Sequence, residues 1–184
     1  MTNKSVLDIG TNTGALLLYA HYHNAKYLYG VDIHGDALKV AKKNLSRYSN
    51  TYKLYESRIQ DLDIDPVDVV ICNPPFFEMN NIAEDKYFRE ALFEETLPLE
   101  DLFVALRKFM KDNGEAYILY QADRFPEVYE MCLKHKLKIM KMQFIHDIHS
   151  KHALRVLLKL KIGKMSKLKI YEPIMIDRGQ IAGK

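Results

Sequence analysis

Short apolar runs alternate along the chain with stretches whose apolar residues recur every three or four positions. Val6–Ile9 predicts a short strand that runs into the turn Gly10-Thr11-Asn12-Thr13-Gly14, and Ala15–Tyr22 then reads as a helix. Tyr27–Ile33 predicts a second strand, and Asp36–Arg47 a second helix with Leu38, Ala41 and Leu45 on one face. Tyr52–Ser57 alternates as a third strand. Val67–Cys72 is apolar at every position but Asp68, the pattern of a strand covered on both faces. Strand and helix in strict succession make βαβ units, which the right-handed crossover rule assembles into a parallel sheet with helices on both faces.

The rhythm breaks at Pro74-Pro75, and an irregular, charged stretch follows to about Thr96, a length that in a compact domain is either functional or disordered. Leu99–Met110 resumes as a helix, with Asn113-Gly114 expected as its C-terminal stop. Tyr117–Tyr120 predicts a fifth strand, and Asp123 is expected to open a helix to about Lys134 that tolerates Pro126 in its first turn. Leu137–Ile145 and Leu154–Ile162 are two further strands whose short connection favours antiparallel pairing, and Lys167–Ile176 reads as a last extended piece. The expected fold is α/β: a mostly parallel seven-stranded sheet with an antiparallel terminal strand pair. No repeat or linker interrupts it, so residues 1–184 are expected to form one domain.

Three clusters carry candidate chemistry, each at the carboxyl end of a predicted strand. Asp8-Ile9-Gly10 and Thr11-Asn12-Thr13-Gly14 form a turn of small residues that lets the backbone approach a ligand. Asp32 stands 18 residues after Gly14, followed by Ile33, where a carboxylate can accept both hydroxyls of a ribose; the competing assignment for Asp32 is a helix N-cap. Asn73-Pro74-Pro75-Phe76 closes the fourth strand. Prolines stop the sheet there and leave the Asn73 side chain and the Pro74 carbonyl as two acceptors, which suit a planar amino group with two hydrogens. Phe76 offers a flat apolar face on which a ring can stack.

Asp8-Ile9-Gly10 with Gly14, Asp32 and Asn73-Pro74-Pro75-Phe76 resemble the motifs of class I S-adenosylmethionine-dependent methyltransferases that modify amino nitrogens. Further segments resemble, in order and approximate spacing, the bacterial tRNA(Val) adenine-N6 methyltransferase group: Phe77, Arg89, Glu94-Glu95, Leu99–Leu102, Phe144–His146 and Arg155–Leu158. The resemblance covers nearly the whole chain and implies a Rossmann-like fold, S-adenosyl-L-methionine as cofactor and tRNA as partner, with N6-methyladenosine in the anticodon loop as product. It implies a catalytic corner of Asn73, Pro74, Pro75 and Phe76, and cofactor contacts from Asp8, Gly10, Asn12, Gly14, Asp32, Ile33 and Asn73. Substrate contacts would come from Phe76, Phe77 and Arg89, although Arg89 can equally pair with Glu90 or Glu94. Asn12 departs from the glycine usual in the first turn, but asparagine tolerates left-handed geometry. Ser57-Arg58, with Asp61 beyond, stands where relatives carry an acid for the cofactor's adenine. The resemblance also implies an N-terminal segment in relatives that this sequence lacks.

Two other readings stay open. A protein-glutamine N5 methyltransferase would use the same Asn-Pro-Pro corner on a carboxamide, and a non-catalytic RNA- or cofactor-binding protein would need no transfer at all. A DNA adenine methyltransferase fits less well, because the chain has no room for a separate sequence-reading domain.

Composition changes this picture in one respect. The net charge of +3 divides into −5 over residues 1–100 and +8 over residues 101–184, with ten lysines between 134 and 171. Such a skew suits a polyanionic partner, or it is the wet side of strands whose lysines alternate with apolar residues. Cys72 and Cys132 have no motif spacing and are expected as buried free thiols. His146, His149 and His152 lack a completing cysteine or carboxylate pattern, so no metal is expected. No stretch reaches the ~20 apolar residues of a membrane span and no export signal opens the chain, so the expected location is the cytoplasm.

Overall fold

The computed structural model describes residues 1–73 and 97–177. Five strands lie parallel: β1 (Ser5–Ile9), β2 (Tyr27–Asp32), β3 (Tyr52–Glu56), β4 (Val67–Cys72) and β5 (Met110–Gln121). They are joined through α1 (Ala15–Tyr22), α2 (Gly35–Leu45) and α3 (Leu99–Phe109), and α4 (Phe125–Lys134) follows β5. β6 (Leu137–Asp147) and β7 (Ala153–Ile162) form the expected antiparallel pair, with β7 inserted antiparallel between β5 and β6. The last extended piece resolves into β8 (Lys169–Ile170) and β9 (Ile174–Ile176), both parallel to β6, so among the described residues the sheet has nine strands rather than seven. Its order is β3-β2-β1-β4-β5-β7-β6-β8, with β9 also on β6.

Alternation along the strands sorts the core into two layers. Val6, Leu28 and Val69 face Leu17 and Ala20 of α1 and Leu45 of α2. Leu7, Ile9, Val70 and Cys72 pack in the other layer with Leu102, Phe103, Leu106 and Phe109 of α3 and Val128 and Cys132 of α4. Helices therefore cover both faces, which is why β4 is apolar at every position but Asp68. Both cysteines are buried and free. Burial raises the Cys132 thiol to about 12 and moves Cys72 well above its ordinary range.

Asn113-Gly114 does not end a helix. α3 stops at Phe109 and passes directly into β5, whose register on β4 jumps from Val67–Met110 to Val69–Glu115. The extra residues bulge out of the ladder, and a Cβ on Gly114 would come within 2.8 Å of Met110 Cγ. The turn signal was real, but it marks a bulge inside a strand that begins seven residues earlier than its apolar run. Likewise α4 starts at Phe125 rather than Asp123, with Pro126 in its first turn, and the residue at the N-cap of α2 is His34 rather than Asp32.

The order β2-β1-β4 places the reversal of strand progression between β1 and β4. In open α/β sheets the crevice above the carboxyl ends of the strands at such a point is where ligands bind.

Candidate active site

The turn after β1 needs three residues in the left-handed region: Gly10 at φ 71°, Asn12 at φ 49° and Gly14 at φ 81°. Glycine meets this without strain, and asparagine stands at the remaining position with the geometry expected of it. The N–H groups of Gly10 and Thr11 both donate to Val31 O, at 2.9 and 3.1 Å, which ties the turn to β2, and Gly14 N–H closes it on Thr11 O at 2.8 Å. Gly14 packs against Ala41 of α2, so it shapes the turn from behind.

A cleft of about 290 Å³ opens above this turn. Asp8, Gly10, Asn12, Asp32, Ile33 and Asn73 all line it; of the sequence-predicted cofactor residues only Gly14 does not. Pro74, Pro75, Phe76, Phe77 and Arg89 lie outside the described residues. Asn73 itself is exposed at the end of β4.

Asp32 anchors the turn. Its Oδ2 accepts from Asn12 N–H at 2.7 Å and its Oδ1 from His34 N–H at 3.0 Å, so one carboxylate joins the β1–α1 turn to the β2–α2 turn. A carboxylate has about four lone-pair sites, and two remain for a ligand facing the cleft. Asn44 of α2 braces the same turn by donating to Thr13 O at 3.0 Å.

Asp8 is the electrostatic centre. It is 1% exposed, its Oδ2 accepts from Thr11 Oγ1 at 2.8 Å, and its Oδ1 has no hydrogen-bond partner among the described residues. Burial raises its pKa to about 7, the Thr11 hydrogen bond opposes this, and the Asp32 charge adds to it. A buried acceptor without a donor is costly, and a cationic ligand in the cleft would supply the donor.

The floor and walls include residues the motifs did not announce. Ser57, Arg58 and Ile59 line the cleft where the third strand ends, whereas Asp61 does not reach it. Leu16, Val31 and Leu97 make it partly apolar. Ile59 had a readable signal, a lone apolar residue in a polar stretch; Leu97 arrives from far along the chain and had none. Among the described residues no His, Cys, Asp and Glu group could hold a metal, and His149 pairs with Asp177 at 3.1 Å.

A family model described as a methyltransferase domain matches residues 2–169. The chain belongs to this methyltransferase family. Its cofactor is S-adenosylmethionine, in keeping with the family. Among curated proteins, the tRNA1(Val) (adenine(37)-N6)-methyltransferase of Dyadobacter fermentans is 26% identical over 172 residues, 91% of this chain and 72% of that protein. The protein of the same name from Porphyromonas gingivalis is 27% identical over 161 residues, 82% of this chain, and the match spans only 63% of its length. Solved structures that share the fold include two RNA- or ribosome-related methylases by their names. The ribosomal protein L11 methylase of Lactobacillus delbrueckii subsp. bulgaricus superposes with a TM-score of 0.66 at 17% identity, covering 89% of this chain and 72% of its own. The M. jannaschii tRNA m1G37 methyltransferase gives 0.65 at 18%, covering 88% and 45%. Among the described residues of this methyltransferase no helix is long and apolar enough to cross a membrane.

Proposed function

We propose that this methyltransferase modifies the N6 amino group of an adenine in tRNA, with the anticodon-loop adenine of tRNA(Val) as the favoured target. One observation carries the reading: Asn73, first residue of an Asn-Pro-Pro-Phe corner, lines the same cleft as Asp8 and Asp32. The names of the relatives support the substrate class.

The cleft residues fit the cofactor. Asp8 Oδ1 lacks a donor and suits the ammonium of the methionine moiety, while Asp32 keeps lone pairs for ribose hydroxyls. Val31, Ile33 and Ile59 offer apolar surface to an adenine ring. The bound cofactor supplies an electrophilic methyl group on a sulfonium. The chain's task is to position the acceptor. The N6 lone pair of neutral adenine is delocalised into the ring, which makes the amine a poor nucleophile. The Asn73 side-chain carbonyl, accepting one N–H, together with the Pro74 carbonyl on the other, would favour a pyramidal nitrogen with its lone pair free. The proton becomes acidic as the nitrogen gains positive charge, so no strong base is required. The target base must be unpaired or extruded from its stack to reach the cleft.

Incubating the protein with labelled S-adenosylmethionine and total tRNA from a strain lacking the activity, followed by nucleoside digestion, is expected to yield labelled N6-methyladenosine. Label on release-factor protein instead of tRNA would establish the glutamine reading. Absence of cofactor binding by calorimetry would establish a non-catalytic role. Asp32→Ala is expected to weaken cofactor binding about 10- to 100-fold, since charge-assisted hydrogen bonds of ~1.5–3 kcal/mol are removed together with the tie between two turns. Calorimetry checks this, and an unchanged Kd would remove Asp32 from the cofactor site.

A further inference from the structure

The acidic balance of residues 1–100 conceals a surface of the opposite character. Between Asp8 and Asp32 the chain has no carboxylate, and between Asp36 and Glu56 it has none either, while Lys39, Lys42, Lys43, Arg47 and Lys53 fall in the second interval. Seven of the twelve tyrosines lie between residues 19 and 55. The topology gathers many of these groups at one end of the sheet. α1 and α2 finish where β2 and β3 begin, so Tyr22, Lys26, Tyr27, Arg47, Tyr48 and Lys53 collect at the amino ends of the strands. The cofactor cleft stands at the other ends, roughly 16 Å away along β2.

The side chains are presented outward. Tyr22, Tyr27 and Tyr48 are 65%, 43% and 52% exposed. The Tyr22 and Tyr48 rings are 5.9 Å apart, and Lys26 lies over the Tyr27 ring at 5.2 Å. A second cleft of about 230 Å³ opens here between Tyr27, Tyr29 and Tyr52, with Asn50, Thr51 and Lys53 at its edge. Among the described residues Lys42, Lys43, Arg47 and Lys53 have no ion pair, whereas Lys159 and Lys161 of the lysine-rich C-terminal half converge on Glu115 at 2.8 and 3.5 Å, and Lys134 meets Glu100 at 2.6 Å. Helix C-termini attract cations, which accounts for Lys42 and Lys43. It does not account for Arg47 and Lys53 beyond the helix, nor for exposed tyrosines beside them.

We infer that this end of the sheet docks an unpaired segment of RNA remote from the methylated base, its phosphates on Arg47 and Lys53 and its bases on Tyr22, Tyr27 and Tyr48. Phosphate contacts by free cations and stacking on aromatic rings are the two means by which proteins hold single-stranded nucleic acid. Charge complementarity and ring exposure coincide here and favour a polyanion with flat bases. The inference rests on the tRNA reading.

The test uses two double variants of the whole chain, Arg47→Glu with Lys53→Glu, and Tyr22→Ala with Tyr48→Ala. Fluorescence polarisation with total tRNA is expected to give at least a tenfold higher Kd for the charge reversal and a slope of log Kd against log salt reduced by about two. The tyrosine variant should weaken tRNA binding severalfold without affecting heparin binding. Both should keep the wild-type melting temperature and cofactor Kd. Wild-type tRNA affinity in both variants would overturn the surface. Equal losses on heparin and tRNA with a silent tyrosine variant would overturn base stacking, and conversion of a dimer to a monomer with unchanged tRNA binding would show a self-association face instead. A wild-type protein that binds tRNA through this end but methylates none of it would overturn the proposed function and leave the surface standing.

Discussion

Asn73→Ala is expected to lower turnover by about two to three orders of magnitude while leaving S-adenosylmethionine affinity within a few-fold of wild type. The scale is that of deleting one preorganised polar group that acts on developing charge. The substitution removes the acceptor that holds one N–H of the amino group, so the nitrogen keeps its conjugation with the ring and its lone pair stays unavailable. Asn73 is exposed at the end of β4, which separates the catalytic effect from any folding defect. Single-turnover methylation of tRNA, with calorimetry of the cofactor alongside, measures the two effects. Methylation at the wild-type rate would eliminate the role.

Asp8 sets the second large effect, on pH. Its pKa is about 7 in the folded chain against an ordinary 3.8, chiefly through burial. Between those values the unfolded chain has released this proton and the folded chain retains it. The group's stabilisation is therefore fully present below about pH 4 and is lost as pH rises through 7, on the order of 4 kcal/mol in all for the ligand-free protein. Asp68 and Glu115 have the opposite sign. Burial pushes both carboxyls up, but hydrogen bonds and charge overcome it and bring their pKa values to about 2, from Lys111 and Ser5 at Asp68 and from Lys159 and Tyr117 at Glu115. Their contribution is fully present above about pH 4.5 and disappears as pH falls toward 2, so the two windows meet only near pH 4.

A bound ammonium reverses the Asp8 balance by stabilising its carboxylate. Cofactor affinity is then expected to fall up to tenfold per unit as pH drops from 7 to 6, and Asp8→Asn should abolish both that dependence and most of the binding. The same variant should make the ligand-free protein more resistant to denaturant at pH 8 than the wild type. Urea unfolding at pH 5 and pH 8, with calorimetry across the same range, provides the readout. A wild-type stability that is flat over this window, with pH-independent cofactor binding, would remove Asp8 from this role.

The site was legible in the sequence because its chemistry stands at the ends of strands that announce themselves. β1, β2 and β4 are largely apolar runs that stop abruptly at Gly10, at Ile33 and at Asn73, and the residues at those stops line one cleft. Asn12 was readable for the same local reason, since few other residues tolerate its φ of 49°. Leu97 was not readable as a lining residue, because its position depends on where the chain passes before α3. The Asn113-Gly114 pair misled for a related cause. The same dipeptide that ends a helix also turns a bulge, and only the pairing of β5 with β4 distinguishes the two.

Local physics acts within a few residues, and the sequence by itself determined everything local: the period of each element, the left-handed turn after β1, the carboxylates and the amide at strand ends, and buried unpaired cysteines. Tertiary structure decided which of these meet. It set β4 beside β1 rather than β3, which brings Asn73 into the cleft of Asp8 and Asp32 from more than forty residues away. It also paired Lys159 and Lys161 with Glu115 and left Arg47 and Lys53 without an ion pair among the described residues, so uncompensated positive charge stands at the amino ends of β2 and β3 as well as in the lysine-rich C-terminal half. Charge counts add along the chain, but the field at a surface depends on which counter-charges folding brings within a few ångströms.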